Sequence, residues 1–261
     1  QSGMTIGGMT SGCPLNNLVP EWNDMLYHGN LEKAVQLLRE TNNFPEFTSR
    51  VCPALCEAAC TCGMSDTPVA SKANEHAIIE YGYANGLTEA DPPKVRTGKR
   101  VAVVGGGPGG CEAAITAAKR GHSVTLYEKR AIGGAMLEAS APEHKSNIRR
   151  LIHYHEVQLE KAGVKVVKEE ATPAVIKAGN YDAVIIAVGG KTRILDIPGK
   201  DSETILYAMD YLGKRVKAQG DKAVVIGGGI TGAETALELC SEGKEVTIVE
   251  MADQFLGTFS S

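Results

Sequence analysis

Residues Val101 to Glu128, VAVVGGGPGGCEAAITAAKRGHSVTLYE, and Lys222 to Glu250, KAVVIGGGITGAETALELCSEGKEVTIVE, are two copies of one pattern. In each, an apolar run ends in a glycine turn, a helical stretch follows, and a second apolar run closes on an acid. The spacing from first glycine to acid is 23 residues in both. Each part has a physical job. Gly105 lets the chain turn sharply off its strand, and Gly107 lets backbone approach a pyrophosphate. Gly110 lets the helix pack closely, with its N-terminal amides and dipole facing the phosphates. Gly227, Gly229 and Gly232 repeat the set. Glu128 and Glu250 end their strands where a carboxylate can accept ribose hydroxyls. A lone GxGxxG is weak evidence, and its plainer reading is a glycine turn in an ordinary α/β domain. Strand, helix, second strand and acid in register predict a dinucleotide site. The repeat predicts two, a bound flavin and a pyridine nucleotide that reduces it.

At 261 residues the chain suggests one large domain or two to three small ones. Thirty glycines suit an α/β protein with many tight turns, and a net charge of −4 gives no case for nucleic acid or an anionic membrane. No apolar run is long enough to span a bilayer and no secretory signal opens the sequence, so a cytoplasmic location is expected. There, seven cysteines are expected to be ligands or buried thiols rather than disulfides. Gln1-Ser2-Gly3 before Met4 reads as the remnant of a cleavable tag.

Between these bounds, helices are expected over Glu21 to Tyr27, Leu31 to Glu40 (with Asn30 as N-cap), Lys72 to Gly86, Asn147 to Ala162 and Thr204 to Lys217. Thr41 to Arg50 reads as loop, and Thr88 to Lys99, with two prolines, as a linker. Strands are expected at Val164 to Val167 and Tyr181 to Gly190. His153 and His155, two apart, cannot share one helix face as a metal pair. Their helix, with Lys145, Arg149 and Arg150 near its start, reads as a sheet cover with a solvated basic end. Cys111 and Cys240 read as packing thiols. No C-x-x-C pair supports disulfide-reductase chemistry.

Four cysteines, Cys52, Cys56, Cys60 and Cys62, cluster downstream of Cys13-Pro14. Iron–sulfur clusters draw on a short run of thiolates plus a distant cysteine followed by proline. Zinc competes, but its usual C-x₂₋₄-C pairs match C-x₃-C-x₃-C-x-C poorly. On a helix, Cys52, Cys56 and Cys60 would share one face. The bland alternative is that they line a helix core.

The segment GCPLNNLVPEWNDMLYHGNLEKAVQLLRETNNFPEFTSRVCPALCEAAC resembles the N-terminal iron–sulfur domain of the glutamate synthase small subunit, which also occurs in dihydropyrimidine dehydrogenase. In that family a C-x₂-C-x₄-C-x₃-C-P run joins the later cysteines to hold two [4Fe–4S] clusters. Only its last cysteine is present here, as Cys13. Met9 holds the third place, and the first two fall at Gln1 and Met4. The resemblance therefore implies one [4Fe–4S] cluster at most, on Cys13, Cys52, Cys56 and a polar side chain aligned with Glu75. Cys60 is then orphaned or recruited as fourth ligand.

From about Gly133, MLEASAPEHKSNIRRLIHYHEVQLEKAGVKV and YDAVIIAVGGK…DIPG resemble the flavin and pyridine-nucleotide module of 2,4-dienoyl-CoA reductase and related enzymes. That resemblance implies FAD at the first fingerprint, against Gly105, Gly107, Pro108, Gly109, Gly110, Glu128, Lys129, Gly133, Gly134, Met136 and Gly189. It implies a nested NAD(P)H domain at the second, with Gly227, Gly229, Gly232 and Glu250. Glu250 would accept a ribose 2′-hydroxyl and repel a 2′-phosphate, and no arginine follows it, so NADH is expected over NADPH. The plainer reading is an acid that caps a strand in solvent.

The expected fold is α/β, a Rossmann-like flavoprotein with two dinucleotide sites behind a small all-α iron–sulfur domain. The domains are placed at 4–90, 98–200 and, in part, 201–261. Only 11 residues follow Glu250, too few to complete the second nucleotide-binding half, so a truncated chain, a naturally short protein or one part of an assembly is expected. An unfinished sheet leaves an apolar edge, which points to a homo-oligomer or a hetero-complex. The expected function is electron transfer, with hydride passing from NADH to FAD and electrons on to a cluster, a protein acceptor or a catalytic subunit. No catalytic side chain is required. The rival is a non-catalytic nucleotide-binding assembly subunit or inactive fragment.

Overall fold

The computed structural model describes residues 5–6, 9–10, 12–89, 93–253 and 255–256, and divides into two bodies, Gln1–Asp91 and Pro92–Ser261.

The first body is helical. After a two-stranded antiparallel pair, β1 (Thr5–Ile6) and β2 (Met9–Thr10), come α1 (Val19–Tyr27), α2 (Leu31–Thr41), α3 (Pro45–Val51), α4 (Leu55–Ala58) and α5 (Ser71–Ala84). Asn30 caps α2 as expected, its side-chain oxygen accepting the Lys33 amide at 3.2 Å. The stretch expected as loop holds α3 instead. Pro45 opens this helix, where its missing N–H costs nothing and its fixed φ suits the first turn. Trp22, Val35, Leu38, Ile78 and Ile79 form the buried core of α1, α2 and α5.

The α/β body opens with β3 (Arg100–Val104), α6 (Pro108–Lys119) and β4 (Ser123–Tyr127), followed by α7 (Met136–Ala139), α8 (Ser146–Lys161), β5 (Lys165–Val167), α9 (Pro173–Ala178) and β6 (Ala183–Ile186). Its sheet is fully parallel in the order β5-β4-β3-β6, with Val101 opposite Val124 and Ala183. Val103, Leu126, Cys111, Ala114 and Leu159 fill the space between this sheet and helices α6 and α8. Next come α10 (Ala208–Leu212), β7 (Lys222–Ile226), α11 (Ile230–Ser241) and β8 (Glu245–Val249), with β7 and β8 parallel. The helix expected over Thr204 to Lys217 shrinks to α10, because Gly213 follows it and Lys214 takes a left-handed φ of 54°. Cys111 is buried as expected, whereas Cys240 is exposed on the outer side of α11. Among the described residues no helix is long and apolar enough to cross a membrane.

Candidate dinucleotide sites and the cysteine cluster

The two glycine turns have the same geometry. Gly105 and Gly227 both sit at φ +106°, a left-handed conformation that L side chains avoid. A Cβ on Gly110 would fall 1.8 Å from the Gly105 carbonyl oxygen, and one on Gly232 would fall 1.9 Å from that of Gly227. The third glycine thus lets the helix press against its own entry loop. Pro108 opens α6 behind Gly107, leaving the first-turn amides free to meet a phosphate. Gly109 has open space where a side chain would stand.

Each acid is held by two backbone amides. Glu128 accepts Gly106 N at 2.7 Å on one oxygen and Arg130 N at 2.8 Å on the other. Glu250 accepts Gly228 N at 2.5 Å and Ala252 N at 2.8 Å in the same way. A carboxylate offers about four acceptor positions, so two remain on each acid for a pair of vicinal hydroxyls. The amides of Ala252 and Gly228 hold the Glu250 carboxyl below its ordinary range, so it is ionised at neutral pH. The middle glycines had no role in the sequence reading. Gly106 and Gly228 supply these amides, and a side chain on either would meet the acid's own Cβ.

Gly134 lies beside the first turn, where a Cβ on it would fall 2.7 Å from the Cα of Gly107. Gly133, at φ +129°, bonds through its amide to the Gly106 carbonyl at 2.8 Å, and Met136 opens α7 just beyond. Gly189 follows β6 at φ +69° with open space around it, near the point where the Gly105 turn meets Ala187. Lys129 points to Glu170 at 3.4 Å. The structure therefore gathers the first glycine turn, Glu128 and the Gly133-Gly134 turn beyond the carboxyl ends of β3 and β4. These positions fit a dinucleotide, with amides at a helix N-terminus, close backbone approach and a half-satisfied acid.

The basic end of α8 is exposed at Arg149 and Arg150, as expected, but partly engaged. Arg149 donates to the carbonyls of Pro142 at 3.1 Å and Glu143 at 2.8 Å, and Lys145 pairs with Glu234. His155 is fully buried, 3.1 Å from Glu112 on α6, while His153 is exposed, so the two do not form a metal pair.

The cysteines do not share a helix face. Pro53 forces Cys52 into an extended conformation, Ala54 turns left-handed at φ 57°, and α4 restarts the helix only at Leu55. Cys52 ends α3, Cys56 lies in α4 and Cys60 precedes a 3₁₀ turn over Thr61–Met64. Burial raises the Cys56 thiol, against a hydrogen bond with Ser71 at the head of α5. Glu75, one turn further along α5, accepts the Thr48 hydroxyl at 2.6 Å and the Asn42 amide at 3.1 Å, and burial raises its carboxyl. Cys60 turns the other way, its sulfur accepting the Val69 amide at 3.5 Å, a bond that lowers its thiol. Cys13 lies in a turn closed by Asn16 N to its own carbonyl. Among the described residues no three His, Cys, Asp or Glu side chains converge on a metal-sized point. Glu75 gives one oxygen, Oε1, to both Thr48 and Asn42, and the thiols stand on separate elements, so this donor set is not gathered for a cluster as it stands.

Residues 99–261, more than half of the chain, match the pyridine nucleotide-disulphide oxidoreductase family. The chain belongs to that family. Residues 7–87 match dihydropyrimidine dehydrogenase domain II, described as a 4Fe–4S cluster domain, as the sequence resemblance implied. The chain is similar to the small chain of glutamate synthase [NADPH] of Bacillus subtilis, 41% identical over 94% of this chain and 54% of that relative. It is similar to NADH oxidase of Thermoanaerobacter brockii, 45% identical over 59% of this chain and 24% of that protein. Among solved structures, a 2-naphthoyl-CoA reductase complex matches with a TM-score of 0.62 and 27% identity, over 95% of this chain and 35% of that one. The chain thus spans about half the length of the glutamate synthase small chains it matches. Family membership places the α/β body among the pyridine nucleotide-disulphide oxidoreductases, behind a helical body that matches a 4Fe–4S cluster domain.

Proposed function

We propose that this chain binds FAD at the first glycine turn and NADH at the second, and serves as the electron-input half of a larger oxidoreductase. The observation that supports this most is the duplicated cradle: the same left-handed glycine, the same helix-entry contact and the same doubly held acid occur twice. Flavin supplies the hydride-accepting chemistry when bound. The chain's own residues bind and orient. Glu128 holds the adenosine ribose, the α6 N-terminus faces the pyrophosphate, and the Gly133-Gly134 turn closes beside it. At the second turn Glu250 holds the other ribose. Its ionised carboxylate disfavours a 2′-phosphate, and Met251, Ala252 and Asp253 beside it bring no cation. The named relatives divide between NADPH and NADH, so the case for NADH rests on Glu250.

No step is routed through an iron–sulfur cluster, because the thiols do not gather into a ligand set. Electrons leave instead for a partner, a catalytic subunit of the kind a small chain implies. Exposed apolar positions on the strands fit that role, with Ile186 76% and Val224 65% accessible. These surfaces also favour the second reading, a nucleotide-binding assembly subunit without turnover. The test is anaerobic mixing of FAD-loaded protein with NADH or NADPH, followed by the visible flavin absorbance. Bleaching by NADH, and more than tenfold slower bleaching by NADPH, is the expected result. Retained flavin that neither nucleotide bleaches supports the assembly reading instead.

A further inference from the structure

Among the described residues Glu138 is the most deeply buried acid, with 2% of its surface exposed. It lies in α7, directly after the Gly133-Gly134 turn, on the wall of a cavity of about 600 Å³. Two guanidinium groups converge on one of its oxygens. Arg130 Nη1 donates to Oε1 at 2.5 Å, and Arg215 Nη1 donates to the same atom at 2.5 Å. Oε2 takes no hydrogen bond among the described residues.

The two arginines come from different nucleotide-binding modules. Arg130 belongs to the first, where its backbone amide holds Glu128 and its second guanidinium nitrogen donates to the Gly134 carbonyl at 3.1 Å. Arg215 belongs to the second. It binds Asp210 at 2.8 Å and the Met209 carbonyl at 2.9 Å, clamping α10, whose Tyr211 and Leu212 pack on Leu239 of α11. A continuous path of polar contacts therefore runs from the first glycine turn to the second module: Gly106, Glu128, Arg130, Glu138, Arg215, Asp210. Two positive groups meeting on one carboxylate oxygen would repel each other without it. The acid is what keeps them together.

We propose that Glu138 is a positioning residue that clasps the second nucleotide-binding module to the first and couples its seating to occupancy of the first site. Ligand hydroxyls on Glu128 act on the same loop that carries Arg130. Ordering that loop fixes the guanidinium that shares Glu138 with Arg215, and so α10 and the helix it packs on. Coupling of this kind needs one shared element that both sites bias, and Glu138 is that element. Lys145 with Glu234 forms a second strap to α11, so loss of Glu138 loosens the module without freeing it. The coupling rests on the first site being the FAD site, whereas the clasp itself does not.

The test is backbone hydrogen exchange on the full chain, with and without FAD, for wild type, Glu138→Gln and Arg215→Met. Without ligand, the amides of residues 208–215 are expected to exchange about tenfold faster in both variants, the scale of losing one charge-assisted hydrogen bond. Exchange in α2 and α5 of the helical body is expected to stay unchanged. With FAD, wild type gains protection at residues 105–139 and at 208–215. Glu138→Gln is expected to bind FAD, read by quenching of flavin fluorescence, and to gain protection only at 105–139. Equal exchange of 208–215 in all three proteins overturns the clasp. Protection of 208–215 by FAD in Glu138→Gln, or its absence in FAD-bound wild type, overturns the coupling. If wild type does not bind FAD, the functional reading and the coupling both fail, and the clasp is still decided by the ligand-free exchange. Arg215→Met decides it where Glu138→Gln does not fold.

Discussion

At the residue scale, what can be read in the sequence is what sterics leave no choice about. Gly110 and Gly232 each stand where a Cβ would overlap a carbonyl oxygen, at 1.8 and 1.9 Å, and no neighbouring side chain can move to relieve it. Gly110→Ala is expected to cost about 1–3 kcal/mol of stability, the usual range for overpacking, because helix and loop must part. Urea unfolding of the variant, with flavin retention measured alongside, checks this. Fingerprint and acid spacing carry this geometry openly. Glu138, Arg130 and Arg215 do not. The contact between Glu138 and Arg215 spans 77 residues, and nothing in EKRAIGGAMLEAS marks Glu138 for burial as the fingerprint spacing marks Glu128 for the ribose. Only the packing of α7 against α10 reveals it.

At the element scale, helices with a clear apolar stripe and a capping residue form near where the pattern places them. Asn30 and α2 are one case, and Asn30→Ala is expected to lower the stability of the helical body by about 1 kcal/mol, read as a shift in its denaturation midpoint. Proline overrides helix periodicity in both directions. Pro45 starts a helix in a stretch that looked like loop, while Pro53 breaks the one that would have carried Cys52, Cys56 and Cys60 on a single face. The same residue type helps at a helix start and forbids the helical conformation in the residue before it. Helix periodicity does not distinguish those cases. The cysteine cluster therefore looked like a ready ligand row, and the structure disperses it over three elements.

At the scale of the whole molecule, electrostatics and exposed surface set the behaviour. Burial pushes the Glu138 carboxyl up, but hydrogen bonds from Arg130 and Arg215 outweigh it and hold the group below the ordinary carboxylate value. A depressed folded-state value means that the ionised acid stabilises the fold. That stability is fully present above the ordinary value of 4.5 and is lost as pH falls through the lower folded one. Unfolding free energies measured from neutral pH down to about pH 3 are expected to fall more steeply for wild type than for Glu138→Gln. The exposed apolar strand positions, Ile186, Val224, Ile226 and Val249, act at the same scale. They suit the partner contact proposed above.

The most direct measurement is calorimetric titration of the protein with FAD and then NADH, in wild type, Glu128→Gln and Glu250→Gln. Two separate sites are expected, with FAD affinity reduced about tenfold or more only by Glu128→Gln and NADH affinity by a similar factor only by Glu250→Gln, the scale of losing a hydrogen bond to a charged acceptor. Competition of the two nucleotides for one site, or affinities indifferent to both acids, would contradict a chain built on two dinucleotide cradles.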